Sequence, residues 1–149
     1  MQATQLSKNI EIRSSITPAA GVAGTTDIEG TVIDMLGFAA VMFLCRIGAM
    51  TTGAVTSLKA QHGAAADLSD AADIEGSAQA VAVADAGETF VIDIVKPVKR
   101  YVRLYVDRGT ANAVVASAEA ILYAPRSAPA TQPGGTNVES FVSPVSGTA

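Results

Sequence analysis

Few side chains in this chain are equipped for chemistry. His62 is the only histidine and Cys45 the only cysteine, so a triad or an imidazole metal site has to use the one, and a thiol reaction the other. Gln61-His62-Gly63 closes a weakly alternating stretch, and nothing nearby completes an acid–base pair, so His62 reads as a loop histidine. Cys45 ends the apolar run Val41-Met42-Phe43-Leu44-Cys45. It has no second cysteine to bridge, and neither a neighbouring histidine nor a CxxC pair to lower its pKa, so it reads as a small buried hydrophobe. No serine stands in a GxSxG elbow. GVAGTTDIEG and DRGTANA match neither a P-loop nor a strand-linked GxGxxG. Asp67, Asp70, Asp73 and Glu75 follow one another at intervals of three, three and two. A calcium loop needs one-residue alternation around a central glycine, so this run reads as a solvated acidic loop. Neither catalysis nor a cofactor nor a metal is expected.

The charged residues that stand out are basic. Lys96, Lys99, Arg100, Arg103 and Arg108 fall close together, whereas Ala60 to Val95 carries acids alone. The whole chain has 10 basic and 14 acidic residues, a formal charge of −4, which argues against a protein that coats nucleic acid. With the rings of Tyr101 and Tyr105 interleaved, Lys99, Arg100, Tyr101, Arg103, Tyr105 and Arg108 form a candidate protein-docking surface. The competing assignment is a solvated strand face with local ion pairs.

The elements that carry these residues read as strands. Phe90, Ile92 and Ile94 alternate with Val91, Asp93 and Val95; Val102, Leu104 and Val106 alternate with Tyr101, Arg103, Tyr105 and Asp107. Pro97 marks the corner between the two strands, because it cannot donate to a ladder. Upstream, Thr31 to Gly48 reads as strands with a turn at Gly37, the second of them buried on both faces. Val55 to His62 and Gln79 to Val83 read as further strands. Ala113 to Ala124 is open between strand and helix: its alanines favour helix, but Val114-Val115 and Ile121-Leu122-Tyr123 favour a closing strand. The strand is preferred.

The fold class expected is mainly β: a single antiparallel β-sandwich or jelly-roll-like domain. Its division is an N-terminal arm over 1–26, a body over 27–125 and an extended C-terminal tail over 126–149. At 149 residues a chain can bury about 68–70% of its unfolded surface, so a core needs no staples. The first residues lack the basic and apolar segments of a signal peptide, and the longest apolar run, Met35 to Cys45, is half the length of a spanning helix. A membrane location is not expected, and synthesis in the cytoplasm is. The tail is poor in hydrophobes until Phe141-Val142-Ser143-Pro144-Val145, which is apolar enough to dock on a partner.

Taken together, the blocks VIDMLGFAAVMFLCRIGAM, LKAQHG…ADLSDAADIEG and KRYVRLYVDRGTANAVVASAEAILYAPR, followed by a Pro/Gly tail, resemble the head decoration, or cement, proteins of tailed bacteriophages. The resemblance covers most of residues 28–126 and is sharpest from Lys99 to Arg103 and from Tyr123 to Arg126. It implies a compact β body on the outer capsid surface, a homo-oligomer with a trimer ahead of a dimer, and the major capsid protein as partner. It implies cementing of adjacent capsid proteins without catalysis. Two other functions are expected to compete: a tail-tube or head-completion protein, and a carbohydrate- or host-surface-binding module that stacks sugars on Tyr101, Tyr105 and Tyr123.

Overall fold

The computed structural model describes residues 5–140. Ten strands follow one another: β1 (Glu11–Ile16), β2 (Ile28–Glu29), β3 (Ile33–Asp34), β4 (Phe38–Met50), β5 (Val55–Gly63), β6 (Ala72–Asp73), β7 (Gln79–Val81), β8 (Thr89–Val95), β9 (Tyr101–Gly109) and β10 (Ala113–Pro125). Every pairing between them is antiparallel. One sheet has four strands in the order β1-β10-β4-β8. The other runs β2-β9-β5-β6, with β3 added to β9 and β7 to β5. Packed face to face, the two sheets make a β-sandwich.

Period-two alternation decides which side chains fill the space between the sheets. From the four-stranded sheet come Val41, Phe43, Cys45 and Ile47, with Ile92, Ile94 and Leu122; from the other come Leu58, Val102, Leu104 and Val106. Phe43, Leu58, Leu104 and Leu122 are fully buried. β10 is the strand whose sequence left helix and strand open. Its Ala118 and Ala120 are fully buried opposite Cys45 and Phe43, where small side chains leave room for the rest of the core. Packing outweighs the helix propensity of alanine here. Two register shifts between Ala113 and Ser117 bend the start of this strand.

Three expectations change. β4 is not buried on both faces: Val41, Phe43, Cys45 and Ile47 face the core, while Met42 and Leu44 are half-buried and Arg46 is exposed. Within the segment expected as an arm over 1–26, Glu11–Ile16 is a strand of the body. β1 pairs with β10, and Ile16, 1% exposed, enters the core, because Ile12 and Ile16 give that stretch enough apolar character to complete a sheet edge. His62 is not in a loop; it sits within β5, opposite Val102 and Ala72.

From Arg126 to Ser140 the tail has no regular structure. Part of it is clipped to β1. Ala130 N–H donates to Lys8 O at 2.7 Å, and the Gln132 amide accepts from Ile12 N–H at 3.0 Å while donating to Ser7 O and Ile10 O. A side-chain amide thus does for the edge of β1 what a neighbouring strand would do. The apolar end, Phe141 to Val145, lies outside the described residues.

Candidate docking surfaces

The outer face of β9 was expected to present rings and charge together, and the six-stranded sheet spends most of them internally. Arg103 is 8% exposed; it donates to Gln61 Oε1 at 2.8 Å and to both carboxylate oxygens of Glu29 at 2.7 and 3.2 Å. Tyr105 donates its hydroxyl to Asp27 at 2.7 Å, and Lys59 lies 5.0 Å over its ring. That hydrogen bond, with burial and the nearby charge, pushes the Tyr105 hydroxyl up to about 12.

Arg108 is not on that face at all. It shares the inward parity of Val102, Leu104 and Val106, is 7% exposed, and reaches the end of the sandwich. Its guanidinium donates to the carbonyls of Thr26, Val22 and Ala113 at 2.6, 2.8 and 2.8 Å, while its backbone N–H binds Asp27 Oδ1. Burial lowers its pKa, with Asp27 opposing. Arg103 and Arg108 therefore leave the expected docking set: both are structural clamps, one between strands and one between β9 and the loop over 22–26. Their spacing looked like a basic stripe because sequence does not tell a solvated arginine from one that caps carbonyls.

Lys99, Arg100 and Tyr101 sit at the β8–β9 corner, outside this network. Arg100 pairs with both oxygens of Asp34, at 2.8 and 2.7 Å, and its guanidinium lies 5.1 Å from the Tyr101 ring. That pairing holds the Asp34 carboxyl below the usual carboxylate range. Lys99 reaches Asp70 at 3.6 Å. Beside them opens a cleft of about 390 Å³, lined by Met35, Leu36 and Phe38 on its apolar side and by Lys96, Lys99, Arg100 and Arg126 around its rim. Lys96 belonged to the basic cluster read from sequence, but Arg126, at the far end of the chain, did not; the end of β10 brings it there.

The four-stranded sheet holds a second surface with no sequence forecast. On its outer side Ile12, Ile121 and Met42 stand in one row across β1, β10 and β4, and Leu44 stands beside Val91 in the next. The side chains are half-buried or exposed, reaching 63% at Val95. Glu119 lies among them and burial pushes its carboxyl up. Tyr123, also on this face, donates to Asp93 at 2.7 Å. The three tyrosines expected as a stacking platform are thus divided, Tyr101 and Tyr105 on one sheet and Tyr123 on the other.

The remaining reactive candidates are occupied. Cys45 is 1% exposed, and burial pushes its thiol up to about 12. Asp70 accepts from Ala64 N–H and Ala65 N–H, and Asp67 from Ser69 N–H, so both fold their own loop. Asp73 takes Lys59 and Gln61. Among the described residues no helix is long and apolar enough to cross a membrane.

Two sheets of mixed size, all antiparallel, packed on a shared aliphatic core, define the chain as an antiparallel β-sandwich protein. The fold is similar to that of PBSX exported protein XepA, with a TM-score of 0.52 and 15% sequence identity over 95% of this chain and 46% of the other. The chain thus spans about half the length of that solved structure. No protein-family model matches the sequence, and no curated protein does.

Proposed function

We propose that this chain is a structural virion protein that binds the outer surface of a phage capsid as a homo-oligomer and cements adjacent major capsid proteins. Its work is binding, without catalysis or a cofactor. The observation that carries this reading is the apolar outer face of the four-stranded sheet. A folded domain that keeps Ile12, Met42, Leu44, Val91 and Ile121 together on one side has a surface suited to protein contact. The sandwich it shares with the PBSX exported protein XepA is consistent with that reading. A tight body with a clipped sheet edge suits a protein that must not aggregate while it waits for its shell. Many copies, each held weakly, then reinforce a lattice by multiplicity.

The test is reconstitution on particles that lack the protein. Saturable binding to their outer surface, and a rise in the temperature at which the shell ruptures, is the expected result. Met42→Glu combined with Leu44→Glu should abolish binding while leaving the circular dichroism of the free protein unchanged. Absence of binding by the unaltered protein would refute the reading.

A further inference from the structure

The cleft at the β3–β4 and β8–β9 corners is built from main-chain bonds that bring its cations to one place. Lys96 N–H donates to Ala39 O at 2.8 Å, Arg126 N–H to Gly37 O at 2.8 Å, and Met35 N–H to Arg100 O at 2.9 Å. Residues 30 positions and more apart in sequence thereby flank one short corner. Lys96 holds φ at 53°, a left-handed conformation that costs a side-chain-bearing residue about 1 kcal/mol and that glycine would take freely. A lysine stands there nonetheless.

The charges around the cleft are unequally used. Arg100 is committed to Asp34, and Lys99 makes only a long pair with Asp70. Lys96 and Arg126 pair with no carboxylate among the described residues. Leu36 and Val98, 66% and 90% exposed, stand at the same rim. Two free cations beside exposed aliphatic groups suit a carboxylate-bearing segment of polypeptide better than a small inorganic anion, which would leave the apolar rim in water.

We propose that this cleft takes the acidic loop around Asp67 from a second copy of the chain. The loop over 64–71 adjoins the cleft, since Asp70 touches Lys99 from it. Asp67 is exposed and without a cationic partner among the described residues. A donor loop and an acceptor cleft side by side are the arrangement that a twofold axis uses twice: each loop enters the other copy's cleft, and both contacts form together. The result is a pair, not the trimer that the family resemblance implies. Leu36 and Val98 are covered in the same contact.

The experiment is sedimentation of the isolated protein, so it can fail or succeed independently of capsid binding. The unaltered chain is expected to dimerise, more weakly as salt rises. K96E/R126E and, separately, D67K should each weaken the dimer roughly tenfold or more, with unchanged circular dichroism. Mixing the two variants should restore a one-to-one dimer, because both contacts in the mixed pair again join opposite charges. A chain that stays monomeric, an oligomer of any size indifferent to both variants, or a mixture that fails to reassociate would each overturn the proposal. Binding of an acidic peptide by a chain that remains monomeric would overturn the second copy as the occupant.

Discussion

Arg108→Ala should loosen the end of the sandwich by an amount the structure allows one to work out. The guanidinium holds three carbonyls, of Val22, Thr26 and Ala113, and so ties a loop of eleven residues or so between β1 and β2 to the start of β10. A hydrogen bond from a charged donor contributes roughly 1.5–3 kcal/mol net, so three of them sum to about 4–9 kcal/mol before offsets. Two offsets apply. The arginine is itself desolvated, which is why its pKa falls, and Val22 and Thr26 are exposed residues whose carbonyls can rehydrate once it is gone. A net loss of about 2–4 kcal/mol follows, or a Tm lower by roughly 5–15 °C at this chain length. Urea denaturation followed by circular dichroism reads it directly. Arg108→Met keeps the apolar stem and should lose nearly as much, and Arg108→Lys should recover only part, since a point charge cannot span three acceptors. If the alanine and methionine variants unfold at the same urea concentration as the unaltered chain, the loop is not anchored through this residue and the reasoning is wrong.

Two further outcomes can be checked. Tyr105 should titrate near pH 12 by tyrosinate absorbance, because its hydroxyl donates to Asp27, and Asp27→Asn should bring that titration down toward 10. The sign follows for stability: the raised Tyr105 stabilises fully below about pH 10 and loses that contribution as pH climbs to 12, whereas Asp27, lowered first by the Arg108 N–H and then by Tyr105, stabilises above about pH 4 and fades as pH falls through its depressed value. Gln132→Ala should cost about 1–2 kcal/mol and leave the Ile12 amide without its acceptor, so hydrogen exchange at Ile12 should quicken while Phe43 and Leu122 stay protected.

Alternation carried most of the fold. The strands at Thr89–Val95 and Tyr101–Gly109 were legible because apolar residues recur at every second position, and Ile92, Ile94, Val102, Leu104 and Val106 face the core where that period puts them. β4 was harder: with Met42 and Leu44 on its outer side, an amphipathic strand and a doubly buried one spell alike. β1 alternates only briefly, over Ile10 to Arg13, and was assigned to an arm because its outer-edge partner is a single glutamine 120 residues away, a contact that no local pattern reports. The docking set failed in part for a related reason. Arg103 and Arg108 owe their burial to Glu29, Gln61 and the carbonyls of distant loops, whereas Lys99 and Arg100, at a corner marked by Pro97, stayed at the surface. Arg126 joined them only through the course of β10.

The contact of Ser7 Oγ with Ser140 Oγ, at 2.8 Å, brings two positions far apart in sequence to one corner of the molecule. A short linker across that gap would close the described chain into a ring, and new ends could then be opened at an exposed turn such as that around Gly53 without crossing the core. The same proximity means that labels placed at residues 7 and 140 leave the body side by side. β1, the strand that follows residue 7, lies at the opposite margin of its sheet from β8, three strand spacings or about 14 Å away. A probe can be displayed from either position with the β8 margin left clear.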